Sequence, residues 1–303
     1  MGKLAAAVRW TLVGCSLLLG AATVFAQTRP VETPSILVCG GSKVHLVDLE
    51  RSQAGTPEIV WTWDAREIED LPEEFRTRWF NSVDDVKPVD EGRRLIVSSS
   101  SGAVALWDLE RNKTLFCAYV PNAHSVELLP GNLLAAAASV HAEGNQVMLF
   151  DLADGTEAIF TDELHSAHGL VWHPERKTLF ALGYDVLREY RLEGRALRRA
   201  KEWKIPGEGG HDLTLVSGGR SFLVTEHTGA WRFDLETETF AKIEGFHDAE
   251  NIKSLSETAD GRFLFTVPEE QWWTTRVTLS NPPAAFEFPG MKVYKARWYR
   301  EPK

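Results

Sequence analysis

Residues Val104–Glu110 read V-A-L-W-D-L-E, a run in which apolar side chains alternate and then give way to Asp-Leu and a polar turn. The pattern recurs at Val44–Glu50 (VHLVDLE), Val147–Ala153 (VMLFDLA), Leu187–Glu193 (LREYRLE), Ala230–Glu236 (AWRFDLE) and, more weakly, Thr274–Asn281 (TTRVTLSN). Counted on the Asp position the copies stand at Asp48, Asp108, Asp151, Arg191, Asp234 and Thr278, in steps of 60, 43, 40, 43 and 44 residues. A period of that length with an alternation of two inside it marks a repeated four-stranded β unit, the blade of a propeller.

The remaining strands follow from each anchor. Arg94–Ser98, Leu133–Ala137, Thr178–Leu182, Ser221–Thr225 and Phe263–Val267 read as second strands, and Thr114–Tyr119, Ala158–Thr161, Arg199–Lys204, Phe240–Glu244 and Ala285–Phe288 as outer strands. Ser82–Val89, Ser125–Leu129, Gly169–His173, Asp212–Val216 and Asn251–Ser256 read as the inner strands. The N-terminal copy has only Ile36–Cys39, Val44–Leu49 and Ile59–Trp63, so its inner strand is predicted to come from the other end of the chain, Val293–Tyr299 (VYKARWY). Such closure leaves no large sheet edge open. The expectation is an all-β, six-bladed propeller, seven blades being the alternative, formed as a single domain over residues 27–303.

Residues 1–26 stand outside the period. Lys3 and Arg9 precede an apolar run, Thr11–Phe25, that ends V-F-A before Gln27, the pattern of a secretory signal peptide cleaved after Ala26. A secreted or periplasmic product without membrane insertion is expected, since no later stretch supplies eighteen consecutive apolar residues. The chain carries a formal charge of −10, and loss of Lys3 and Arg9 with the leader makes it more acidic. Nucleic acid is therefore not an expected partner. Cys39 and Cys117 fall in neighbouring blades with no metal-ligand or redox spacing and are expected to be unpaired thiols.

One segment departs from the period: Asp64–Asn81 (DAREIEDLPEEFRTRWFN), which accounts for most of the 60-residue step. It reads as a connection carrying a short helix after Pro72, either a lid over the binding face or a solvated decoration.

The candidate site lies at the axis. His124, His168 and His211 begin three consecutive inner strands, with Asp84 or Asp85 at the equivalent position before them, Asn251 after them, and Tyr294 or Lys295 in the closing strand. Equivalent positions point at one another around the channel. Turns opening on the same face add Tyr184, Glu226 with His227, and Trp272 with Trp273. His124, His168, His211 and Asp84 suit a divalent metal such as Mn, Zn, Ni or Ca. Asp85, Tyr184, Glu226, His227, Asn251, Trp272, Trp273 and Lys295 would line a ligand site, and Tyr184, His227 or Lys253 could act as a base.

The blade pattern, with the Trp107-Asp108 pair in its repeat, resembles the WD40-like and YVTN-like propellers of exported bacterial proteins, and the whole chain is similar to an uncharacterised family of secreted propellers. The axial histidines resemble the metal-holding residues of oligogalacturonate lyases, which implies His124, His168 and His211 as ligands of a divalent ion. Three classes stay open: a monomeric binding module for a small polar molecule or saccharide, a metal-dependent carbohydrate-active enzyme such as a lyase, and a protein-interaction scaffold.

Overall fold

A computed structural model describes Gly2 and residues 32–302 apart from 247 and 248. The expected signal peptide and its cleavage site lie outside the described residues. Six four-stranded antiparallel sheets make up the fold, and their inner strands, Val83–Val89, Ala123–Leu129, Gly169–His173, Asp212–Leu215, Ser254–Glu257 and Val293–Arg300, follow one another in a closed ring. This is a six-bladed β-propeller. Among the described residues no helix is long and apolar enough to cross a membrane.

The decisive repeat works as its alternation requires. In strand Ala103–Asp108, Val104 and Leu106 enter the core shared with the third blade, while Ala103, Ala105 and Trp107 enter the core shared with the first. One strand thus joins two inter-blade interfaces, and burial on both faces explains why its hydrophobicity is nearly continuous. The recurrent aspartate has a separate cause. Asp48 accepts from the Glu50 and Arg51 amides at 3.0 and 3.1 Å, Asp108 from Arg111, Asp151 from Ala153, and Asp234 from Glu236 and Thr237. The side chain replaces a backbone acceptor and shapes the turn to the outer strand.

Val293–Arg300 closes the first blade by pairing with Ser35–Gly40, Ile36 opposite Trp298 and Val38 opposite Ala296. The chain ends meet so closely that a Cβ on Gly40 would lie 2.0 Å from the Lys292 carbonyl oxygen, which reserves that position for glycine. Cys39 and Cys117 are free thiols.

The long connection is neither lid nor decoration. Leu71, Phe75 and Phe80 are buried with Trp63 and Trp107 in the core of the first and second blades, Phe80 meeting Trp63 edge-on at 5.3 Å. A single π-helical turn, Phe75–Trp79, brings Trp79 to within 5.0 Å of Tyr119. Asp70 accepts both the amide and the hydroxyl of Thr114 at 2.8 Å. The segment clasps two blades together at their outer edge.

Candidate functional site

Two polar layers lie one beneath the other on the axis, and each inner strand supplies them from consecutive residues. The upper layer is Asp84, His124, His168, His211, Lys253 and Tyr294. The lower is Asp85, Ser125, Asp212, Ser254 and Lys295, with Arg297 just below. Register shifts between Val83 and Asp85 and between Ala123 and Ser125 insert one residue each, so Asp84 and His124 reach the upper layer while the following residue faces the channel. The fourth blade contributes only Gly169 to the lower layer, where a Cβ would come within 2.6 Å of Leu213.

This arrangement corrects one expected position and decides between the two alternatives at another. The amides of His168, His211 and Lys253 make matching bonds to Leu182, Thr225 and Thr266 carbonyls, at 2.9, 2.8 and 3.0 Å. The sixth-blade place in the ring therefore belongs to Lys253, with Asn251 beside it. In the closing strand it belongs to Tyr294, while Lys295 lies beneath.

The lower layer is sealed. Lys295 and Asp85 are 0% exposed and Arg297 5%. Arg297 donates to both oxygens of Asp212 at 2.7 and 2.6 Å and to Asp85 at 2.9 Å. Lys295 donates to Asp212 at 3.0 Å and to the His211 carbonyl at 3.2 Å. Ser125 Oγ and the Leu255 amide occupy further lone pairs on the two carboxylates. Burial alone would raise both acids, and the Arg297 and Lys295 cations outweigh it, holding Asp85 and Asp212 below the usual carboxylate range. A third pair, Lys87 to Glu127 at 3.0 Å, continues the lattice. Asp85 and Lys295, expected among ligand-binding residues, are instead committed to these ion pairs.

The upper layer is different in kind. His124 and His168 stack face to face, centroids 4.1 Å apart at 19°, and His168 meets His211 edge-on at 5.7 Å. His168 Nδ1 donates to the Ser166 carbonyl at 2.9 Å, which leaves its Nε2 as an acceptor. Burial pushes the His168 imidazole down to about 3 and, with the Lys253 charge next in importance, His211 down to about 2. Both rings are neutral at physiological pH, and so is His124, lowered by burial and then by His168. Lys253 donates to His211 Nε2 at 3.0 Å, with the side-chain oxygen Oδ1 of Asn251 3.3 Å from the same nitrogen, and lies 6.0 Å over the Tyr294 ring. Burial and Lys295 bring the Lys253 ammonium down to about 8. Asp84, 1% exposed, accepts from the Ser100 amide and stands 3.8 Å from His124 Nδ1. Burial pushes its carboxyl up to about 7.

As placed, these side chains do not fit a metal ion. Stacked rings direct their in-plane lone pairs side by side instead of toward one point, His168 Nδ1 is taken by a carbonyl, and His211 Nε2 receives an ammonium. Among the described residues no three His, Cys, Asp or Glu side chains are grouped to hold one.

The rim divides similarly. Trp272 is 38% exposed and meets Tyr294 edge-on at 5.9 Å, so it borders the funnel, whereas Trp273 lies beneath Lys292. His227 stands 5.1 Å from His211 and Tyr184 6.3 Å from His227. Partial desolvation and the Glu208 carboxylate raise the Tyr184 phenol, which makes it a poorer base. Glu226 is fully buried, accepting from Thr228 N at 2.7 Å and Trp231 Nε1 at 2.9 Å. It braces the rim and has no free oxygen to offer.

Fold and site together define a six-bladed propeller whose axis is closed by ion pairs beneath a polar, aromatic-edged funnel. The chain belongs to a family of unknown function (DUF6528), matched over residues 24–302. No curated protein matches it.

Proposed function

We propose that this protein is an exported binding module that holds a small, hydroxyl-rich molecule, a saccharide, at the floor of the funnel. The observation that carries this reading is the ring of neutral imidazoles. His168 offers an Nε2 acceptor, neither His168 nor His124 has an Nε2 partner among the described residues, and an exposed Trp272 stands at the mouth against Tyr294. Neutral donors and acceptors at the base of an apolar-edged cleft suit hydroxyl groups, and an indole face at the rim suits a pyranose ring. Calorimetry of the purified protein against mono- and disaccharides tests it. Binding should weaken at least tenfold in His168→Ala and in Trp272→Ala; uptake of no sugar would sink the reading.

Chemistry at the same floor would use Lys253. An ammonium titrating at about 8 leaves roughly a tenth of the side chain unprotonated at pH 7, enough for a general base. This supports the lyase class as the second reading, with Tyr184 and His227 as less suited bases. Release of an unsaturated product, followed at the absorbance of its conjugated double bond and lost in Lys253→Met, would establish it. Titration with Mn, Zn, Ni and Ca measures metal uptake independently of both.

A further inference from the structure

The charges of the axis do not balance at the funnel. In the lattice below, Asp85, Asp212 and Glu127 face Arg297, Lys295 and Lys87, three against three, each within ion-pair distance of an opposite charge. Lys253, directly above, has no such partner among the described residues. Its side chain is buried, with 7% of the residue exposed, and its Nζ contacts the neutral His211 ring and the face of Tyr294. No carboxylate among the described residues lies within ion-pair distance of it. Asp84, the one carboxylate of the same layer, is turned to the Ser100 amide and His124. The acids below are already engaged by Arg297 and Lys295.

An isolated buried ammonium is costly, and proteins retain one where something compensates it. Here its contacts are groups of the funnel floor, His211 and Tyr294, with Asn251 on the same His211 nitrogen and the like charge of Lys295 acting on it. We infer that the funnel takes an anionic ligand, whose carboxylate or phosphate sits on Lys253 while its hydroxyl-bearing body meets His124, His168 and Trp272. The inference rests on the saccharide reading above and narrows it to acidic sugars. The charge selects the ligand because a neutral sugar would have to leave the ammonium uncompensated.

Three hexoses that share most of their hydroxyls separate the possibilities: glucose, glucuronate and glucose 6-phosphate, titrated by calorimetry at fixed ionic strength into the wild-type protein and Lys253→Met. One or both acidic sugars should bind at least tenfold more tightly than glucose, the better one identifying carboxylate or phosphate as the recognised group. In Lys253→Met that preference should disappear, the acidic sugars and glucose then binding within about threefold of one another. Equal affinity for all three sugars, or a preference that survives in Lys253→Met, would overturn the anionic inference and leave the saccharide reading standing. Binding of none of them would overturn both. Circular dichroism and a cooperative melt confirm that the variant is folded.

Discussion

The two layers of the axis are built from neighbouring residues of the same strands, yet they solve burial in opposite ways. Asp85, Asp212, Lys295 and Arg297 are saturated: each charge faces its opposite and nearly every lone pair has a donor. Asp84, His211 and Lys253, one residue away along each chain, carry shifted protonation and incomplete pairing. Placement on the axis is therefore not what makes a polar group a candidate for function. What separates the layers is whether the protein itself finishes the pairing, which it does below and leaves incomplete above.

The strongest way to break the lower layer is to remove residues 290–303, which takes away the inner strand of the first blade together with Lys295 and Arg297, two of the three lattice cations. No cooperative thermal unfolding should remain, as followed by circular dichroism; a truncated protein that melts near the parent would refute the closure. Arg297→Met is the point version. It leaves Asp212 with Lys295 alone and Asp85 with only the longer contacts to Lys295 and Lys87, at 3.9 and 4.0 Å, and urea unfolding should report a loss of about 3–5 kcal/mol.

Acid distinguishes the layers without a large structural change. His168 and His211 hold folded-state values of about 3 and about 2, well below the free imidazole. The unfolded chain therefore binds more protons than the native one as pH falls below 6.5, and stability declines through that window. His168→Asn should lessen the slope between pH 6 and pH 4 by close to one proton, about 1.4 kcal/mol per pH unit. The lattice acids, lowered by Arg297 and Lys295, stabilise above the ordinary Asp range and should begin to lose that contribution only below about pH 4.

Lys253→Met is expected to act with the opposite sign. Its folded value of about 8 lies below the ordinary 10.5, so the buried charge destabilises fully below pH 8 and the penalty is relieved as pH rises toward 10.5. The variant should be more stable than the parent at pH 7 by up to about 3 kcal/mol, with the gap closing by pH 10.5. A destabilised variant would mean that Lys253 already has its partner within the protein.

Much of the fold was legible because each blade repeats a local rule. Thr178–Leu182 and Gly169–His173 match their expected bounds and most other strands lie within two residues of theirs, since alternation is read directly from side-chain type. The axis was only half legible. The three histidines could be found from their place at strand starts, but the place of Lys253 in the ring, where Asn251 was expected, and the choice between Tyr294 and Lys295 depended on bulges and strand starts that alternation does not encode. The pairing of Arg297 with Asp212 joins residues 85 positions apart across an intervening blade, and no linear spacing announces it. For the long connection, Leu71, Phe75 and Phe80 declared an apolar face but not what would cover it.

The sealed lattice also determines how the funnel can be used. A propeller channel open at both ends could admit a long molecule and let it slide through. Here Asp85, Asp212 and Lys295, 0–1% exposed, close the passage below the imidazole ring, so the funnel is a blind well with one mouth. On the proposed reading, a bound saccharide would have to leave by the opening through which it entered. A polymer could lower only its terminal unit to the floor, and would be recognised by its end and not along its length.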